Sequence, residues 1–132
     1  MPNVFSGTGN LGDNPTLKTV SVNGEDKKVA ELRVMFDEFK PDGDGGFKPN
    51  GGLWLNVSVW GKRAETAAAL LRKGARVRVD GRLTEQQWTD KETGVERTAH
   101  SIVVDDITLS LSRIESVTFK PKREYSEAEV AA

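Results

Sequence analysis

The chain reads as an all-β domain with one short helix, built as a barrel of about five strands. Three observations predict it. Stretches of strict apolar/polar alternation recur along the sequence, one segment between them switches to a period near 3.6, and glycine-rich turns separate the extended pieces.

Asn3 to Gly9 and Leu17 to Val22 look extended, with a turn at Gly12-Asp13-Asn14-Pro15 splitting them, so together they count as one broken first strand. Val29 to Phe39 alternates, with Ala30, Leu32, Val34 and Phe36 on one side and Glu31, Arg33, Met35, Asp37 and Phe39 on the other. Residues 40–52 gather five glycines, two prolines and Asp42, Asp44 and Asn50, and are expected to form a long, mobile hairpin connection. Leu53 to Trp60 then alternates again, setting Leu55, Val57 and Val59 against Trp54, Asn56, Ser58 and Trp60.

Between Gly61 and Gly74 the apolar residues Ala64, Ala67, Ala68 and Leu71 fall at helical spacing, and Arg72-Lys73-Gly74 reads as a basic last turn with a glycine stop. The following strand sets Ala75, Val77, Val79, Gly81 and Leu83 against Arg76, Arg78, Asp80 and Arg82, which predicts a predominantly basic outer face. Continued without a bulge, it carries Trp88 on the side of Arg82. A turn over residues 89–96 leads into Ala99 to Val104 and Ile107 to Leu111, with a bulge expected at Asp105-Asp106.

The chain has 132 residues, a length that suits one core and hardly two. We expect one domain over residues 1–119 and a short flexible tail over residues 120–132, where large apolar residues run out. No apolar run approaches the ~20 residues that cross a bilayer, and the first residues lack a secretory pattern, so the expected location is cytoplasmic, with no membrane partner. The chain contains no cysteine and one histidine, His100, which removes disulfides, thiolate chemistry and a zinc site, and no cofactor is expected.

Some motifs fail on context. Gly7-Thr8-Gly9-Asn10-Leu11-Gly12 matches a dinucleotide fingerprint, but Pro15 and a strand-like segment follow instead of a helix whose N-terminus would hold a pyrophosphate. Asp42-Gly43-Asp44-Gly45-Gly46 lacks the later glutamate and flanking helices of a calcium loop. His100 has no sequence partner for nucleophilic catalysis. These sites point away from an enzyme.

The aromatics carry the functional signal. Phe39, Trp54, Trp60 and Trp88 each fall opposite an aliphatic stripe, where an indole or phenyl ring loses its hydrophobic gain unless something covers it. A protein contact or a small second core under the hairpin explains any one of them equally well; four of the same parity favour a common stacking surface. Arg33, Lys62, Lys73, Arg76, Arg78 and Arg82 lie among or beside them, and π-faces with cations suit the exposed bases and phosphates of single-stranded nucleic acid. Taken singly, each cation is equally explained as part of a solvated strand face. Lysine and arginine total 19 against 20 acidic residues, so this reading needs the positive charge concentrated on one face.

These residues resemble the bacterial single-stranded DNA-binding proteins over nearly the whole patterned region. Gly9-Asn10-Leu11-Gly12-Asp13-Asn14-Pro15 looks like that family's opening turn, Trp54 through Trp60-Gly61-Lys62 like its third strand, and Leu71-Arg72-Lys73-Gly74 like its helix end. Gly81-Arg82-Leu83, Trp88-Thr89-Asp90 and Glu92-Thr93-Gly94 follow in order. The resemblance implies a five-stranded OB-fold, a Greek-key barrel with a long β-hairpin, assembled as a homo-oligomer, usually a tetramer, with a dimer as the alternative. It implies single-stranded DNA wrapped on aromatic platforms in replication, recombination or repair, without catalysis. By position, Trp54, Trp60 and Trp88 match base-stacking aromatics, Lys62 and Lys73 match backbone-contacting lysines, and Phe39 is a looser match.

Three departures accompany the match. Leu55 stands where well-known members have a histidine at a subunit contact. Thr84-Glu85-Gln86-Gln87 replaces a stretch that is often basic, which predicts fewer phosphate contacts. The sequence ends Glu129-Val130-Ala131-Ala132, so a short variant without the family's acidic, partner-recruiting tip is expected. The competing reading is an OB-fold replication-restart or scaffold module whose aromatic face binds protein.

Overall fold

A computed structural model describes residues 3–122. Its strands are β1 (Asn3–Leu11), β2 (Thr16–Val22), β3 (Glu25–Pro41), β4 (Phe47–Trp60), β5 (Arg76–Thr89) and β6 (Glu96–Leu109), with α1 (Lys62–Leu70) between β4 and β5. They pair in the order β1-β5-β6-β4-β3-β2, and β1 also pairs with β3, so the sheet closes on itself and leaves β2 outside the ring on β3. All contacts are antiparallel except a short parallel meeting of Asn56–Ser58 with Ser101–Val103. Closure through β1 and β3 removes the free edges of the ring strands, and β2, paired with β3 alone, remains an edge.

The alternation read from the sequence fills the interior. Ala30, Leu32, Val34 and Phe36 from β3, Leu55, Val57 and Val59 from β4, Val77 and Val79 from β5, and Ile102 and Val104 from β6 are all buried, with Ala64 and Ala67 of α1 packed against them. No polar side chain is buried among the described residues, so the core rests on apolar area removed from water. Leu55 is part of this core, and its side chain serves barrel packing. The broken first strand is present, with Leu11 N–H and Gly74 N–H tying its corner to the residues after α1. The bulge is also present: Asp80 pairs with Asp106 and Gly81 with Val104, leaving Asp105 as the extra residue.

Two expectations are corrected. Residues 40–52 are mostly strand: the β3–β4 ladder passes an irregularity between Asp37 and Phe39 and resumes as Phe39↔Pro49, Lys40↔Lys48 and Pro41↔Phe47. Turn chemistry is confined to residues 42–46, where Asp42 Oδ1 accepts from the N–H groups of Asp44 and Gly46. The reason is cooperative pairing, since each added rung satisfies backbone groups that a loop would leave to water. The helix is also shorter than its pattern. It ends at Leu70, Leu71 is already extended, and no basic residue lies in its last turn. Gly74, at φ 89°, belongs to the corner instead, where its N–H donates to the Leu11 carbonyl.

Candidate functional site

Trp54, Trp60 and Trp88 are 47%, 38% and 48% exposed, so none of the indoles is tucked into the barrel. The register explains why. On β4 they share parity with Asn56 and Ser58, whose cross-strand partners Arg33 and Glu31 face outward on β3, while the partners of Val57 and Val59 face the core. Across β6 the outer row continues from Asn56 to Ser101, and Ser101 is the register partner of Thr84 on β5. A cleft of polar side chains, including Glu31, Arg33, Asn56, Ser58, Gln86 and Ser101, therefore lies along β4 from Trp54 toward Trp60. Trp88 stands two residues beyond Gln86 on the β5–β6 hairpin, opposite Arg97.

Trp54 is the most closely held of the three. The Arg33 guanidinium carbon lies 5.6 Å from the centre of its ring, within cation–π range, and Arg33 Nη1 donates to Asn56 Oδ1 at 3.1 Å. Lys73 reaches the same corner through its backbone N–H, which donates to Asn14 Oδ1 at 2.8 Å. Trp60 sits at the other end of β4, in a shallow depression with Lys27, Lys28, Gly61 and Lys62, which Asp26 and Glu65 also line. Gly61, at φ 80°, swings the chain from strand to helix and donates its N–H to the Lys28 carbonyl, which brings Lys28 and Lys62 to one ring. Phe39 lies apart from this group, on the projecting β3–β4 arm opposite Pro49.

Arg76, Arg78 and Arg82 behave differently, since each has an aspartate within ion-pair distance. Arg76 makes a two-pronged contact with Asp37, Nη1 to Oδ2 at 2.7 Å and Nη2 to Oδ1 at 3.1 Å, and also donates to Asn10 Oδ1. Arg78 donates to Asp80 and Ser6, while Ser6 Oγ donates to Asp80 Oδ1 at 2.6 Å. Arg82 lies 3.6 Å from Asp105. The Asp37 hydrogen bond raises the Arg76 pKa against the opposing effect of burial, and the Ser6 and Arg78 hydrogen bonds hold Asp80 below the usual carboxylate range. Arg33, Lys28, Lys62 and Lys73 have no carboxylate partner within ion-pair distance among the described residues.

Several residues escaped the sequence reading. Lys28 joins Trp60 only through the β3–β4 register. Phe47, 72% exposed, stands with Lys40 and Lys48 on the arm that the sequence reading took for a loop; an exposed phenylalanine among glycines was the available signal. Arg97 is held by Asp90, which accepts from the N–H groups of Glu92 and Thr93 as well; these bonds, with the Glu92 contribution largest, lower the Asp90 pKa. The glycines of the apparent dinucleotide fingerprint have packing reasons: a Cβ at Gly7 would meet the Phe5 ring, at Gly9 the Met35 backbone, and at Gly12 the Trp54 ring. Among the described residues no group of three or more His, Cys, Asp or Glu side chains converges on a metal position, and no helix is long and apolar enough to cross a membrane.

Comparison with known proteins gives three findings. Residues 3–110 match the model of the Single-strand binding protein family. Among curated proteins, the chain is 36% identical over 110 residues to Single-stranded DNA-binding protein 2 of Streptomyces coelicolor, covering 82% of this chain and 53% of the relative, and 37% identical over 60 residues to the Single-stranded DNA-binding protein of Thermosynechococcus vestitus, covering 46% and 50%. The chain thus spans about half the length of these curated relatives. Its fold is similar to the crystal structure of a small single-stranded DNA-binding protein from Streptomyces coelicolor, at TM-score 0.71 and 21% identity, over 85% of this chain and 97% of that one.

Proposed function

The chain belongs to the single-strand binding protein family, and from that membership we propose that it binds single-stranded DNA with little regard to sequence, stacking bases on Trp54, Trp60 and Trp88. The observation that carries this reading is the placement of exposed indoles beside cations that make no ion pair among the described residues: Arg33 over Trp54, with the Lys73 backbone tied to the same corner, and Lys28 and Lys62 beside Trp60. Every base has a π-face, so stacking tolerates any sequence, and each stacked base adds about 1–3 kcal/mol. The arm residues Phe39, Lys40, Phe47 and Lys48 extend the surface. Arg76 serves chiefly to tie β1 and β3 to β5 through its contacts with Asn10 and Asp37, while Arg78 and Arg82 are exposed beside Asp80 and Asp105 and are the weaker candidates for phosphate contact.

On this reading the protein is a cytoplasmic binding protein, makes and breaks no bonds, and protects single strands during replication, recombination or repair as a homo-oligomer. Residues 1–119 form its DNA-binding unit; of the proposed tail, residues 123–132 lie outside the described residues. Titration with oligo-dT tests the function directly. Tryptophan emission should be quenched, with far weaker response to duplex of equal length; unchanged emission, or equal affinity for duplex, would remove the proposal. Light scattering with and without oligo-dT reads the assembly. The scaffold reading draws on the neutralised β5 face, and a protein partner that competes with DNA at Trp54 would favour it.

A further inference from the structure

Gly12 has no conformational reason to be glycine, since it is absent from the residues with positive φ. Its reason is spatial. A Cβ built there would lie 2.5 Å from Trp54 Cζ3 and 2.6 Å from Cη2, where ordinary contact begins near 3.4 Å; the next neighbour, the Arg33 carbonyl oxygen, is at 3.6 Å. We propose that Gly12 is a positioning residue for Trp54, its bare backbone serving as the stop against which the edge of the indole rests. This rests on the reading of Trp54 as a base-stacking residue and adds how that ring is held.

The corner cannot retreat to relieve a clash. Gly12 N–H donates to the Arg33 carbonyl at 2.8 Å, Leu11 N–H to the Ala75 carbonyl at 2.9 Å, Gly74 N–H to the Leu11 carbonyl at 2.8 Å, and Lys73 N–H to Asn14 Oδ1 at 2.8 Å. These four bonds fasten residues 11–14 to β3 on one side and to the α1–β5 corner on the other. The indole, by contrast, is a half-exposed side chain whose far edge a methyl group can displace by a rotation about the side-chain torsions. A methyl group at position 12 therefore moves the ring and spares the fold. Gly9 supplies the contrast, because its Cβ would strike the Met35 backbone, which has no such freedom.

With the Gly12 backbone at its edge and the Arg33 guanidinium near its face, the Trp54 ring is held in one orientation before any base arrives. Holding a stacking ring in its bound pose lowers the ordering cost of binding. Gly12 and Arg33 thus act through Trp54, and Gly12 makes no call on charge.

The test uses Gly12→Ala in the full chain and in a Trp60→Phe/Trp88→Phe background, where Trp54 is the only tryptophan. Expected are a melting temperature close to the parent's, a shifted Trp54 emission more open to acrylamide quenching, and oligo-dT affinity weakened about fivefold, a part of what a stacked base supplies. In a Trp54→Ala background, Gly12→Ala should add nothing. Unchanged emission, or an equal loss of affinity with Trp54 already removed, would overturn the assignment. If Gly12→Ala unfolds the chain, refolding by the added Trp54→Ala upholds it, and failure to refold overturns it. If Trp54→Ala alone leaves affinity intact, base stacking at Trp54 is what fails, while the emission readout still judges the contact with Gly12.

Discussion

The outer surface of the β4 strand and that of the β5 strand start from the same alternation of apolar and outward residues, aromatic and polar on β4 and largely basic on β5, and end as opposite things. Along β5, each arginine expected to face DNA meets an aspartate brought by a neighbour: Asp37 across the β1–β3 closure, Asp80 two residues along the same strand, Asp105 from the β6 bulge. Along β4, Trp54 and Trp60 stand at the two ends of a row of polar side chains, and the nearby cations Arg33, Lys28 and Lys62 make no ion pair among the described residues, although Asp26 and Glu65 line the depression at Trp60 and Asp13 the one at Trp54. Cation count does not make an electrostatic footprint. What matters is which cations the fold leaves unmatched, and in a chain of net charge −1 that is decided by strand pairing.

The sharpest way to break this contrast is to remove a ring from one surface and an arginine from the other. Trp54→Ala and Trp88→Ala should each weaken oligo-dT binding by about 1–3 kcal/mol, read by fluorescence or anisotropy titration. Arg78→Ala should change it far less. Equal losses would merge the two surfaces into one.

A smaller effect lies in salt dependence. Single-strand binding loses a slope of about 0.7 in log K against log salt for each phosphate contact removed, so Lys28→Ala and Lys62→Ala should each flatten the plot by up to that amount. Arg78→Gln and Arg82→Gln should leave the slope near the parent value. The converse experiment sharpens the point: Asp105→Asn releases Arg82 and should steepen the slope, whereas an unchanged slope would show that Arg82 lies off the DNA path altogether.

The smallest expected effect is acid-linked. Asp80 and Asp90 are held below the ordinary carboxylate value of 3.8 by hydrogen bonds present only in the folded chain. The stabilisation is present above that value and is lost as pH falls through the lowered folded-state pKa. Thermal melts should therefore show the parent losing more stability than Asp80→Asn between about pH 4 and pH 2, with the two running parallel above about pH 5. Because both carboxylates remain partly open to solvent, the difference should be modest.

Much of the barrel was legible in the chain. Alternation separated Leu55, Val57 and Val59 from Trp54 and Trp60 because the pleat admits only two directions, and the Asp105-Asp106 doublet marked the bulge because a pair of carboxylates interrupts an apolar stripe that must otherwise continue inward. The β3–β4 arm was misread because glycine and proline report local turn preference, while the ladder from Phe39 to Phe47 is stabilised by a partner strand. The helix end was misread for a related reason. Leu71 and Gly74 obey a helical pattern, yet Gly74 is recruited by the Leu11 carbonyl, which lies 63 positions earlier in the chain.

The division follows from the range of the forces involved. Amino-acid order alone determined which side chains face in and which face out, the position of the short helix, and the three outward indoles, since each of these depends on neighbours a few residues away. Only the tertiary structure decided which arginines meet an aspartate, that Lys28 and Lys62 meet at Trp60, and that Gly12 lies against the edge of Trp54. Those facts depend on registers between distant strands, and a register is set when the barrel closes.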